Sequence, residues 1–520
     1  MTRQTIDSDG RPFRTTSQGQ TRRGLLKGAA LGLGGSALGS LLPARRAAAQ
    51  QATPAATLAT PIPGLGATIV LPQNLRTDLA GDEIIVVLSP DGPAAPWEQV
   101  ACDKFSQATG IIVTRQSGPI RAADRLVQYQ STFTLESRLL DVAMIDVTWI
   151  GRFAGHFFRL TKEIKSQGYP YFDRIVENNS LYVEIPSRQT PGKTVLRKDV
   201  AAIPWFGDAG LLYYRMDLLE KYGFSAPPTT WTDLEAMAQA IQSGERTSNP
   251  DFQGYVWQGG PYEGLTCDAL EWQYAAGGGT IVDDEGKVQV NNPKTILAFE
   301  RARNWVGTIS PANVMDFDEE EARFIWQAGN AAFMRNWLYA YELGQAADSP
   351  IKDKFDIALV PKSDAGGTHR TGTLGGWEIM VPKYSHRKEA AIEFAKFITS
   401  RELQKSSAIE LGRLPTIADL YDDPDVLSAR PVFARLHDLF LDGVVARPST
   451  VTASLYDNVS TAYATTVNQI LSGSVDTTSA VAGLDDRLNQ MLGDVPQVPI
   501  PTPTATLTPA PSPAATPATG

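Results

Sequence analysis

Between Glu83 and Ile145 short apolar runs alternate with amphipathic ones, and this alternation constrains the fold more than any other feature of the chain. Glu83-Ile84-Ile85-Val86-Val87-Leu88 has the length and apolarity of a buried strand. A helical stretch from Trp97 to Ala108 follows, and Gly110 marks its end. Ile111-Ile112-Val113-Thr114 reads as the next strand, Arg121 to Thr132 as a helix, and Val142-Ala143-Met144-Ile145 as a third strand. Three strands separated by two helices in so short a span predict a doubly wound α/β lobe. Further on, Thr230 is placed to cap a helix carrying Leu234, Met237, Ala238 and Ile241 on one face, with Asp233 in its first turn. Phe355 to Val360 and Trp377 to Val381 read as strands, and Lys388 to Ile398 as an amphipathic helix.

The chain has 520 residues, room for more than one domain. Its formal charge is −10, but residues 1–49 carry +6, which leaves −16 on the remainder. So acidic a body argues against nucleic acid or an anionic membrane as partner, because either needs a basic patch. Cys102 and Cys267 are too few for a disulfide scaffold or a four-thiolate zinc site, and two buried thiols are expected. His156, His369, His386 and His437 are scattered, so neither a metal nor another cofactor is called for.

The ends read differently from the body. Arg22-Arg23 precedes a Gly-rich, weakly apolar run from Gly28 to Leu42, and Ala47-Ala48-Ala49 follows. This resembles a twin-arginine (Tat) signal peptide over 1–49, cleaved near Ala49. No lipobox cysteine stands near that site, so an exported, free, periplasmic or extracellular protein is expected. Residues 50–81 read as an Ala/Thr/Pro linker, and 491–520 as a Pro/Thr-rich disordered tail.

Several tryptophans sit beside glycine, carboxylate or amide groups: Ile145 to Trp149, Pro204 to Gly210, Arg335 to Tyr339, and Gly375-Gly376-Trp377. Asp146 ends a strand, on the side where open α/β sheets bind ligands. Carboxylates accept hydroxyl hydrogen bonds, and Arg and amides donate them. Aromatic rings cover the C–H faces of a sugar. Taken singly, each tryptophan reads as a core residue; four such clusters together suit a neutral polyol.

At these clusters the chain resembles the extracellular solute-binding proteins of ABC sugar importers (family 1), most of all the trehalose/maltose-binding proteins. The stretches that carry the likeness include Ala202 to Arg215, Asp217 to Gly223, Pro227 to Trp231, Gly254 to Gly259, Tyr262 to Cys267, Gln327 to Trp337, Thr373 to Trp377, Tyr421 to Pro424 and Ala446 to Ser449. The resemblance spans about 82–490 and implies a two-lobed class II periplasmic-binding fold, α/β, with several hinge crossings. It places lobe I at 82–203 plus 362–408 and lobe II at 204–361 plus 409–490, with crossings near Pro204 and near Val360-Pro361.

The resemblance further implies a disaccharide ligand between the lobes, a membrane ABC permease as partner, a monomer, and no enzymatic activity. Carried over by position, Asp146 and Asp208 accept sugar hydroxyls, Trp337 and Tyr339 form an aromatic wall, and Trp377 stacks. Phe206 stacks where the family can have tyrosine, Gly375 and Gly376 bring the backbone close, and Arg125 and Arg447 donate. Trp149 and Glu263 are secondary candidates. After the first strand the family can supply a glutamate, whereas Ala94 and Ala95 stand here, with Asp91 the only nearby acid. The rival readings are an exported glycoside hydrolase using Asp146 and Asp208, or the same fold with a longer glucan or glycerol phosphate.

Overall fold

The computed structural model describes residues 65–172, 175–176, 181–183, 198–364 and 371–493. The expected signal peptide, the linker up to residue 64 and the tail from 494 lie outside the described residues. The strands run in chain order β1 (Glu83–Leu88), β2 (Ile112–Ser117), β3 (Val142–Asp146), β4 (Leu181–Val183), β5 (Lys198–Val200), β6 (Ile203–Ala209), β7 (Leu211–Arg215), β8 (Gln253–Val256), β9 (Ala331–Asn336), β10 (Phe355–Leu359), β11 (Gly372–Met380) and β12 (Val444–Val445).

Two sheets organise the molecule. The first runs β12-β11-β3-β1-β2, with β6 also paired to β11. Its β1, β2 and β3 are parallel and joined by the helices Ala94–Thr109 and Ala122–Thr134, the doubly wound unit the apolar runs predict. The first of those helices ends on Gly110, whose φ of 77° is left-handed. The second sheet runs β10-β7-β9-β8. Each sheet carries its own core. One gathers Val86, Trp97, Phe105, Met144 and Phe394; the other gathers Tyr213, Trp257, Phe299, Trp326 and the C-terminal helices Tyr456–Leu471 and Thr477–Gly493.

Three expected boundaries move. β6 is hydrogen-bonded into the first sheet as far as Ala209, so the chain leaves that sheet at Gly210 and not near Pro204. Proline at 204 looks like a break, but antiparallel pairing with β11 accommodates it beside a bulge between Trp377 and Glu378. The last helix continues through Gly493, past the expected start of the tail. The described part of the expected linker is docked: Glu410 accepts from the backbone of Gly66 at 2.6 Å and of Thr68 at 3.0 Å, and Ile69 is buried. Cys102 and Cys267 are both free and buried.

Candidate functional site

β11 is the strand on which the candidate residues converge. It pairs Trp377 with Phe206 and Gly375 with Asp208 on β6, and Trp377 with Asp146 on β3. Cross-strand partners, and residues two apart on a strand, share a face. Asp208, Phe206, Gly375, Trp377 and Asp146 therefore share one face of the sheet. At Gly375 the absent side chain leaves room for an indole: a Cβ there would lie 2.9 Å from Cζ3 of Trp337 and 3.4 Å from Cβ of Asp208. Gly376 has a φ of 137°, and a Cβ on it would lie 2.8 Å from the Phe206 carbonyl oxygen. Only glycine suits that backbone.

Two carboxyls flank this aromatic surface. Oδ1 of Asp208 accepts from the Ala209 amide at 2.8 Å and from the Leu338 amide at 3.1 Å, which ties the loop bearing Trp337 to β6. Burial pushes the Asp208 carboxyl up to about 7, against the pull of those two amides. Oδ1 of Asp146 accepts from the Thr148 amide at 2.9 Å and from its hydroxyl at 2.7 Å. The Oδ2 atoms of both residues take no hydrogen bond among the described residues, and each can accept from a hydroxyl.

The remaining candidates stand behind or beside this surface. Arg125 is 1% exposed, with its guanidinium 5.4 Å from the Trp377 ring centre, and it donates to the carbonyls of Leu88 and Pro119 at 2.8 and 3.2 Å. Its Nε is buried without a partner among the described residues. Trp149 is buried edge-on against Trp377, ring centres 5.9 Å apart, so it meets the surface only through that ring. Arg447 donates to Glu263 at 2.7 Å and to the Leu374 carbonyl at 3.2 Å. Both oxygens of Glu263 are engaged, Oε1 by Arg447 and Tyr456 and Oε2 by Ser460. Tyr339 is exposed, and its hydroxyl donates to Glu320 at 2.6 Å.

Sequence reasoning missed two groups that touch this surface, Arg413 and Glu319, and gave no role to Arg335, which stands in the Trp337 cluster. The Arg413 guanidinium lies 4.4 Å from the ring centres of both Phe206 and Trp205 and pairs with the buried Glu98 at 2.7 Å. Glu319 accepts from the Trp337 indole at 3.4 Å. Arg335 lies under the same indole, 4.2 Å from its centre. Arg413 carried no signal, being an isolated arginine after a helix. The acids from Asp318 to Glu321 resemble an ordinary capped helix start, which they also form. No cluster of His, Cys, Asp and Glu able to hold a metal ion occurs among the described residues.

Two sheets with separate cores, joined through β11 and Gly210 and presenting rings and carboxyls together, define a two-lobed, MalE-like solute-binding architecture. The family model described as bacterial extracellular solute-binding protein matches residues 90–405, and the chain belongs to that family. It is 44% identical over 392 residues to the "Probable ABC transporter-binding protein" of Deinococcus radiodurans, covering 75% of this chain and 89% of that one. It is 25% identical to a maltotriose-binding protein of Pyrococcus abyssi, over 48% of this chain and 59% of the relative. Among solved structures, maltose-bound MalE3 of T. maritima superposes with a TM-score of 0.70 at 33% identity, covering 79% of this chain and all of that one. A ribitol complex from Agrobacterium radiobacter shares the fold at a TM-score of 0.65 and 19% identity, over 79% of this chain and 99% of that one.

Proposed function

We propose that this chain is the exported binding component of an ABC importer and takes a neutral disaccharide of the trehalose or maltose class. The observation that carries the reading is the register of β6, β11 and β3, which sets Phe206, Trp377 and the Gly375-seated Trp337 beside Asp208 and Asp146. Rings cover the apolar faces of pyranoses, while the Oδ2 atoms accept hydroxyls. The likeness to a maltose-bound protein at 33% identity supports the sugar class. Arg125 and Arg447 donate, Gly376 lets the backbone approach, and Tyr339 extends the wall. Trp149 and Glu263 brace Trp377 and Arg447. The lobes are taken as 82–209 plus β11 and the two helices that follow it, and 210–361 plus the C-terminal helices. They close on the sugar, and the closed form docks as a monomer on a membrane permease. Export through a twin-arginine signal belongs to the same reading.

A thermal-shift panel of trehalose, maltose, sucrose and glycerol phosphate tests it. A sugar that binds only the native state adds about 2.7 kcal/mol at 100-fold over its Kd. A rise with trehalose or maltose supports the reading, and no rise with any sugar refutes the ligand class. A carboxyl held near 7 at Asp208 also suits a glycoside hydrolase. Release of glucose during incubation would favour that second reading.

A further inference from the structure

Beneath the Trp337 indole lies a buried ionic cluster. Arg335 stands two residues earlier, on β9, and is 1% exposed. Its Nη2 and Nε donate to the two oxygens of Glu271 at 2.5 and 3.1 Å, a paired fork. Nε also stands 2.9 Å from Asp268, and Nη1 donates to Gln258 at 3.2 Å. Glu271, Asp268 and Gln258 are all fully buried.

The cluster reaches two of the places where the chain passes between the sheets. Glu271 Oε1 accepts from the Thr373 amide, at the start of β11, at 2.8 Å. At Gly210, between β6 and β7, a Cβ would lie 1.9 Å from that same oxygen and 2.3 Å from Arg335 Nη2. The two crossings therefore rest on the group that underlies the indole. Stability alone is a poor reason for such a cluster, because well-packed apolar replacements of buried ion pairs are often neutral or better. A guanidinium held by a fork supplies a fixed plane for a ring to stack on, which an ammonium or an aliphatic chain does not.

The geometry points to Arg335 as a positioning residue: oriented by Glu271, it sets the tilt of Trp337 against the crossings at Gly210 and Thr373 and couples the ring to lobe movement. This rests on the reading that Trp337 touches the sugar. The test is a double-mutant cycle on the full chain with Arg335→Lys, Trp337→Phe and both together, probed with maltose. Arg335→Lys is expected to weaken maltose binding about tenfold. The double variant is expected to lose no more than the larger single loss, because Arg335 acts through the ring. Indole emission assigned to Trp337, by subtracting the spectrum of each Phe variant from its parent, is expected to shift when Arg335 becomes Lys. Additive losses, or an unchanged Trp337 emission, overturn the inference. If the native chain takes no maltose, the ligand reading alone fails and the emission still decides. Should Arg335→Lys not fold, Glu271→Gln, which keeps the shape of the fork, enters the same cycle with the same expected and overturning results.

Discussion

At Asp208 burial changes the chemistry of a carboxyl in the candidate site. Its carboxyl is held up to about 7 in the folded chain, against about 3.9 in an unfolded one. Below about pH 4 both states carry the proton, and the group's full stabilising share is present. As pH rises toward 7 only the unfolded chain releases it, so stability falls by at most about 1.4 kcal/mol per pH unit. Melting curves between pH 4 and 8 are expected to show this decline in the native chain and a flatter profile in Asp208→Asn. Gly375 and Gly376 give a second contrast. At Gly376 the obstacles to a Cβ are backbone atoms, the Phe206 carbonyl and Gly207 Cα at 2.8 and 3.2 Å. Gly376→Ala is therefore expected to cost roughly 1–3 kcal/mol in denaturant unfolding. At Gly375 the nearest atom belongs to the Trp337 side chain, so Gly375→Ala moves the ring and lowers sugar affinity while costing less stability. The Gly-Gly-Trp cluster was visible in the sequence as chemistry. That one glycine serves a backbone and the other an indole was not, because both contacts come from distant segments.

Elements defined by local rules were legible, and those defined by distant partners were less so. The helix Lys388–Ile398 follows its apolar periodicity to the residue. The helix Trp231–Glu245 starts on the expected Thr230, whose side chain accepts from Asp233 N at 3.1 Å, while Asp233 accepts from Thr230 N at 3.2 Å. Thr230→Ala removes half of this reciprocal cap and is expected to lower stability by about 1 kcal/mol in urea unfolding, without changing sugar affinity. β11 was harder to read. Its expected start was Trp377, yet it begins at Gly372, since adjacent glycines resemble a break. Three neighbours override that propensity: β12 pairs at Gly372 and Thr373, β6 from Leu374, and β3 from Trp377. β6 hid for the same reason, its Pro204 and Gly207 being tolerated because β11 supplies the pairing.

At the scale of the whole molecule, contacts between the two sheets' territories set how readily the lobes part. Arg121 heads the helix Ala122–Thr134 beside the first sheet, and it pairs with Asp318 and Glu321 at the start of the helix Glu319–Gln327, which packs on the second. No sequence motif announces this pairing, because 197 residues separate Arg121 from Asp318. Arg121 is 57% exposed, so water screens and weakens the interaction. If closure accompanies sugar binding, Arg121→Ala removes attraction from the closed form, and affinity is expected to fall by no more than about fivefold. Two conditions identify the cause. In about 1 M salt the screening length drops to about 3 Å, and native and variant affinities are expected to converge. Burial pushes the Asp318 carboxyl up to about 6, so at lower pH it becomes neutral and the difference between native and variant shrinks. Titrations of both proteins with one sugar, at low and high salt and at pH 5 and 7.5, check this. A difference indifferent to salt and pH would place the role of Arg121 in the packing of its helix start and not in holding the lobes together.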